Sequence, residues 1–83
     1  MMMDVRFYGP LAAMIGEAIT VDLPETTSTV GGLRAFLTDR HPAAAASLAD
    51  ARTRCFIHDE IAADSAVIPP GTTAEFLPPV SGG

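Results

Sequence analysis

The chain is poor in residue types that several classes of protein require. Its 83 residues include no lysine and no tryptophan, and Cys55 is the only cysteine. One cysteine forms no intramolecular disulfide and builds no four-cysteine zinc cluster, so we expect a reducing compartment, the cytoplasm. No run approaches the roughly 18 apolar residues of a membrane span, and the first residues lack the apolar core of a signal peptide. We therefore expect no membrane association.

Acidic residues outnumber basic ones. Ten Asp and Glu residues face five arginines, for a net charge of −5. Nucleic acid requires a basic protein surface, so the charge argues against a nucleic-acid partner and favours a protein partner with a basic groove. The length and the 48% hydrophobic content fit one small domain with no room for a second.

Period-two alternation and turn signals predict an α+β fold: a mixed sheet of four to five strands with one main helix packed on one face. The main helix starts after an N-cap at Ser28 or Thr29. Its apolar stripe comprises Val30, Leu33, Phe36 and Leu37, while Arg34, Thr38 and Asp39 are expected to point outward. Strands are predicted at 5–8, 19–23, 53–58 and 73–77, a short or edge strand within 61–68, a single helical turn at 11–15, and a second short helix at 43–48.

The alternation also assigns side chains to the two sheet faces. Facing the helix we expect Val5, Phe7, Ile19, Val21, Ile57, Ala74 and Phe76. The opposite face then carries Arg6, Tyr8, Phe56, His58, Glu75 and Leu77. Three of these six are large and apolar, a composition that favours a protein interface. The alternative is that loops cover them.

No residue pattern indicates a catalytic or metal site. The two histidines, His41 and His58, stand in no catalytic motif, and no metal-binding or nucleotide-binding signature occurs. The pair Gly31-Gly32 is better explained by a close loop-helix approach than by phosphate binding. Cys55 is predicted to lie on the core face, where a cysteine is unreactive. We therefore expect a protein that is not itself an enzyme, with no bound metal or cofactor.

The end of the printed sequence is its most informative segment. Pro78 and Pro79 have no amide donor, so the last strand cannot continue through them, and Val80, Ser81, Gly82 and Gly83 follow as an extended tail. Residues 78–83 span roughly 20 Å at about 3.3 Å per residue. We therefore predict a folded domain at 1–77 and a slim tail at 78–83, whose glycines permit entry into a narrow cleft. The alternative is a frayed terminus.

The ending Glu75-Phe76-Leu77-Pro78-Pro79-Val80-Ser81-Gly82-Gly83 resembles that of the MoaD family, the sulfur-carrier small subunits of molybdopterin synthase. The resemblance extends to Val5-Arg6-Phe7-Tyr8-Gly9 and to the helix from Val30. It implies a ubiquitin-like, ThiS-like β-grasp fold. It also implies a large synthase subunit as partner, in a heterotetramer of two small and two large subunits.

The same resemblance implies a reaction cycle at the tail. An E1-like enzyme would use ATP to adenylate Gly83, which would then become a thiocarboxylate and give its sulfur to cyclic pyranopterin monophosphate. The segment that would lie along the large subunit is Pro78, Pro79, Val80 and Ser81, and Gly82 would let the tail pass a narrow channel. The docking surface would comprise Tyr8, Ile61 and Leu77, with Phe56 from the uncovered face. Catalytic side chains would belong to the large subunit. The alternatives are a carrier for thiazole, cysteine or tRNA thiolation, and a ubiquitin-like protein modifier.

Overall fold

A computed structural model describes residues 1–79 and divides them into five strands and three α-helices. The strands are β1 (Met2–Phe7), β2 (Ala18–Asp22), β3 (Arg54–Ile57), β4 (Glu60–Ala62) and β5 (Thr73–Leu77), and the helices are α1 (Pro10–Ile15), α2 (Val30–Arg40) and α3 (Ala45–Ala49). Two 3₁₀ turns, Glu25–Thr27 and Pro42–Ala44, precede α2 and α3. No helix among these described residues is both long and apolar enough to cross a lipid bilayer.

The five strands form one mixed sheet in the order β2-β1-β5-β3-β4. β1 and β2 form an antiparallel hairpin, β5 runs parallel to β1, and β3 is antiparallel to both β5 and β4. The predicted class, an α+β fold with a mixed sheet under one main helix, is confirmed, and the short strand within 61–68 is indeed an edge strand. The last strand therefore lies at the centre of the sheet, between the first strand and the third.

The core lies between the sheet and α2. Phe7 of β1 and Phe76 of β5 stack with ring centroids 5.8 Å apart, and both are almost fully buried. Leu33 and Leu37 of α2 are fully buried. Of the seven residues expected to face the helix, five are buried and Ile19 and Ile57 are half-buried. The period-two assignment of the faces is thus correct for the core side.

The start of α2 is fixed by close backbone contacts. The Thr29 hydroxyl accepts a hydrogen bond from the Gly32 amide at 3.0 Å, as the N-cap prediction required. The Gly31 amide donates to the carbonyl oxygen of Asp64 at 2.8 Å, and a Cβ atom at Gly32 would overlap the carbonyl oxygen of Thr27. The two glycines therefore serve a close approach of loop and helix, as the sequence indicated.

Arg34 does not point outward, and this expectation was wrong. Its side chain is only 13% exposed, and its guanidinium donates to the carbonyl oxygens of Leu48 (2.7 Å) and Thr53 and to the Asp64 carboxylate (3.0 Å). The guanidinium carbon lies 5.3 Å from the centre of the Phe76 ring. A guanidinium group with five donors can satisfy several acceptors at once, so Arg34 connects α2 to α3 and to the residue before β3.

Three local details also differ from the sequence predictions. β1 begins at Met2, because its pairing with β2 extends to Asp22. The predicted helix at 43–48 is a 3₁₀ turn followed by α3. His58 lies in the turn between β3 and β4, where both His58 (φ 52°) and Asp59 (φ 62°) are left-handed, so it does not belong to the sheet face.

Candidate docking surface and root of the tail

The tail leaves the sheet at a well-defined point. Leu77 is the last residue of β5 and pairs with Arg54 of β3. The Tyr8 amide donates to the Phe76 carbonyl oxygen at 3.2 Å, and Pro78 then offers no donor of its own. Gly9 has a φ of 63°, and a Cβ atom there would lie 2.9 Å from Cγ of Pro78. Gly9 therefore allows the first tail residue to pack closely against the end of β1.

Beside this exit lies a groove of about 400 Å³, here called the exit groove. Phe56, Ile61 and Leu77 supply its apolar floor, and Arg52, Arg54, Pro78 and Pro79 complete it. Ile61 is 60% exposed, while Phe56 and Leu77 are half-buried. Three of the four residues predicted to bind a partner thus share one surface at the root of the tail, and no loop of residues 1–79 covers Ile61.

Tyr8, the fourth predicted docking residue, lies on the other side of β5. It is 40% exposed and lines a separate hollow with Arg6 and Gly9. Its hydroxyl donates to Oε2 of Glu75 at 2.6 Å, and this hydrogen bond is the main cause that raises the pKa of Tyr8 above its usual value. The bond fixes the direction of the ring next to the exit of the tail. Glu75, in the strand next to β1, is a residue whose positioning role the sequence did not reveal.

Two arginines border the exit groove in an otherwise acidic chain. Arg54 is exposed and pairs with Leu77 across the strands. Arg52 is bound to Asp50, with 2.9 Å between Nη2 and Oδ2, and the resulting hydrogen bonds lower the pKa of the Asp50 carboxyl group. Nothing in the sequence pattern marked Arg52, since it lies in the loop before β3. An apolar floor with a basic border suits a partner that presents apolar side chains near a carboxylate.

The remaining predicted site residues are Val80, Ser81, Gly82 and Gly83, and they lie outside the described residues. Within the described tail, Pro78 is half-buried and Pro79 is exposed. Residues 78 and 79 therefore begin to leave the body next to the exit groove.

The cysteine of the folded body lies in an environment that suppresses its reactivity. Cys55 is fully buried, and burial, the largest cause, raises the pKa of its thiol to about 11. The nearby Arg34 acts in the opposite direction but does not outweigh burial. Across residues 1–79, no three His, Cys, Asp or Glu side chains lie close enough together to hold a metal ion.

A five-stranded mixed sheet crossed by one main helix, with a central C-terminal strand, is the ubiquitin-like β-grasp fold. The chain belongs to the ThiS family, which it matches over residues 5–83. The match spans the β-grasp body and extends through the tail. No curated protein matches the chain.

Several solved structures share the fold over at least 95% of the chain. SAMP1 from Haloferax volcanii is 27% identical, with a TM-score of 0.82 and full coverage of both chains. A putative molybdopterin converting factor subunit 1 from Pyrococcus furiosus is 17% identical, with a TM-score of 0.80 over 95% of this chain and 98% of that one. One chain of a complex between subunits 1 and 2 of the molybdopterin-converting factor from Helicobacter pylori 26695 is 24% identical, with a TM-score of 0.65 and full coverage of both chains. The last two structures are less than 25% identical to this chain, so they show only that the fold is shared.

Proposed function

We propose that this chain is a sulfur carrier for molybdopterin synthesis, with the Gly83 carboxylate as the group that receives and delivers sulfur. Membership of the ThiS family supports the carrier role, because the family match includes the tail as well as the body. The resemblance of residues 75–83 to the ending of molybdopterin synthase small subunits supports the particular pathway. We place this activity in the cytoplasm.

The observation that carries the proposal is the position of the tail root. β5 is the central strand, it ends at Leu77, and the two prolines follow beside the apolar floor of Phe56, Ile61 and Leu77. A partner that docks on this floor has the tail next to its own surface. Docking and delivery of the tail are thereby coupled by geometry, since one short segment connects them.

The chemistry assigned to Gly83 needs two steps. An E1-like enzyme uses ATP: a carboxylate oxygen of Gly83 attacks the α-phosphorus, pyrophosphate leaves, and an acyl-adenylate forms. In the second step, the terminal sulfur of a persulfide attacks the carbonyl carbon and AMP leaves, which gives an acyl disulfide. A thiol then attacks the donor's sulfur in this S–S bond, so that the Gly83 thiocarboxylate is released and the donor is left in a disulfide with the thiol. Glycine suits both steps because no side chain crowds the carbonyl carbon. The chain itself binds no cofactor in this proposal.

The partner that consumes the sulfur is a large synthase subunit, in an assembly of two small and two large subunits. The Helicobacter pylori complex joins subunits 1 and 2 of a molybdopterin-converting factor, and a chain of that complex shares this fold. Side chains that catalyse the transfer to the pterin precursor belong to the large subunit. The present chain contributes the docking surface and the thiocarboxylate.

A second candidate function is covalent modification of other proteins. It is favoured by the likeness to SAMP1 and to the Haloferax volcanii small archaeal modifier protein 1, at 27% and 23% identity. Both functions use an activated C-terminal glycine, but they differ in the acceptor. A modifier gives its glycine to an amine of another protein, whereas a carrier gives only the sulfur.

Mass spectrometry separates the two functions. After incubation with ATP, an E1-like enzyme and a sulfur donor, the intact mass of a carrier rises by the difference between one sulfur and one oxygen atom. Covalent ladders on other proteins would instead support a modifier. Deletion of Gly83 should abolish both the mass increase and activity in a reconstituted synthase, with unchanged circular dichroism as the control for folding. Full activity of the truncated chain would disprove the proposal.

A further inference from the structure

β2 is an edge strand whose outer backbone groups have no partner among the described residues. The Leu23 amide donates to the Met1 carbonyl oxygen at 2.8 Å, and the Phe7 amide donates to the Glu17 carbonyl oxygen at 3.0 Å. Antiparallel pairing alternates, so in β2 the odd-numbered residues bond to β1. The amides and carbonyls of Ala18, Thr20 and Asp22 therefore point away from the sheet and can accept another strand.

A second groove lies between this open edge and α2. This edge groove has a volume of about 320 Å³ and is lined by Ile19 and Val21 of β2 and by Phe36, Leu37 and Arg40 of α2, with Thr20, Asp22 and His41 completing it. Ile19 and Phe36 are half-buried, so the core closes over them only in part. Ile19 and Phe36 therefore offer apolar contact surface directly beside the unpaired backbone groups.

Arg40 supplies a positive charge to the edge groove, while the Asp22 carboxylate is paired with the Met1 amino group at 2.9 Å. Its guanidinium carbon lies 4.4 Å from the centre of the Phe36 ring, and no carboxylate of residues 1–79 forms an ion pair with it. The stacking on Phe36 holds the guanidinium at the rim, with its remaining donors available to a ligand. A carboxylate is the group that such a donor set binds best.

We propose that the edge groove binds an extended peptide segment of a partner protein, which adds a sixth strand to the sheet alongside β2. The backbone of the peptide pairs with Ala18, Thr20 and Asp22. Alternate apolar side chains contact Ile19 and Phe36, and an acidic residue of the peptide contacts Arg40. This is strand addition, in which backbone bonds provide affinity and alternate side chains provide specificity.

A second copy of this chain is a poorer occupant than such a peptide. Each copy carries a net charge of −5, and edge-to-edge pairing would bring two acidic bodies together. The edge groove and the exit groove lie at opposite edges of the sheet, since β2 and β4 are the two end strands. Both grooves can therefore be occupied at once, and this proposal does not depend on the function assigned to the tail.

The test uses synthetic heptapeptides and the full chain labelled with ¹⁵N. One probe is acetyl-Ser-Val-Thr-Ile-Thr-Glu-Ser-amide, in which Val, Ile and Glu share one face of the strand; a second has its Val and Glu exchanged so that either strand direction is covered, and control peptides carry Lys in place of Glu. We expect at least one acidic probe to shift the amide signals of Ala18, Thr20 and Asp22, and to bind about five-fold or more tightly than its lysine control. Shifts confined to the exit groove, or none at millimolar peptide, would overturn the proposal.

Two variants of the chain sharpen the result. Arg40→Glu should weaken binding about five-fold or more, whereas Arg52→Glu, the same charge change beside the exit groove, should leave it unchanged. Thr20→Pro removes an outward amide that β1 does not use and should weaken binding about ten-fold, with Thr20→Ala as the control that keeps the amide. Equal effects of Arg40→Glu and Arg52→Glu would contradict the site. Concentration-dependent dimerisation with shifts in the β2 amides before any peptide is added would assign the edge to a second copy instead.

Discussion

Arg34 offers the sharpest test of what holds the body together. Replacement by Met keeps most of the side-chain volume but leaves the carbonyl oxygens of Leu48 and Thr53 without their donor. Each carbonyl left unpaired in a partly buried place costs about 1–3 kcal/mol. The ion pair with Asp64 adds little, about 0–1 kcal/mol, because the Asp64 side chain is 68% exposed.

We therefore expect Arg34→Met to lower the free energy of unfolding by about 3 kcal/mol. In a chain of this length that corresponds to a fall in melting temperature of roughly 12–24 °C. Urea unfolding followed by far-ultraviolet circular dichroism measures the loss. Arg34→Lys should recover only part of the lost stability, because a single ammonium group cannot replace a planar guanidinium that reaches two carbonyls and a carboxylate.

Arg52→Met is the matched control for this measurement. Within residues 1–79 the Arg52 side chain bonds only to Asp50 and it is 76% exposed, so its loss should change the free energy of unfolding by less than about 1 kcal/mol. If Arg34→Met cost no more than this control, the carbonyl contacts would not be stabilising, and the role assigned to Arg34 would be wrong.

Three further outcomes test the site and the core. Leu77→Glu should weaken binding to a large synthase subunit by about ten-fold or more in calorimetry, while Thr73→Glu on the same strand should not. Equal affinities of the two variants would remove Leu77 from the interface. With a pKa of about 11, roughly one Cys55 thiol in a thousand is ionised at pH 8. Iodoacetamide should therefore label the native chain far more slowly than the urea-unfolded chain. Equal labelling rates would contradict the burial of Cys55. Gly32→Ala should lower the free energy of unfolding by about 2 kcal/mol, because its Cβ would overlap backbone of the preceding 3₁₀ turn. The same change at Gly31 should cost less. The reverse order in urea unfolding would refute the packing described for α2.

The elements of this fold could be predicted because each leaves a local signal. Alternation in β2 and β5, the N-cap at Thr29 and the apolar stripe of α2 each depend on residues a few positions apart. The order of the strands leaves no such signal. Alternation shows which face a residue occupies but not which strand lies beside it, so the parallel pairing of β1 with β5 could not be derived from periodicity.

The site could be predicted in part for the same reason. Phe56 and Leu77 stood out because period-two alternation placed two large apolar side chains on the face without the helix. Ile61 required the resemblance to a known family, since its strand is short and irregular. Arg34 was misassigned because a charged residue at an outward helical position usually is exposed, and only the tertiary structure brings two unpaired carbonyls within its reach.

The position of β5 fixes where the tail begins. β5 is paired on both sides, Phe76 is buried, and Pro78 packs on Gly9, so the root of the tail is attached to the core. Changes at the root should therefore alter stability, and changes at the tip should not. Phe76→Ala should cost about 3–5 kcal/mol, whereas loss of Gly83 should leave urea unfolding unchanged. If both changes destabilised the fold equally, the tip would be part of the packed structure, and the separation of docking body and delivered terminus would not hold.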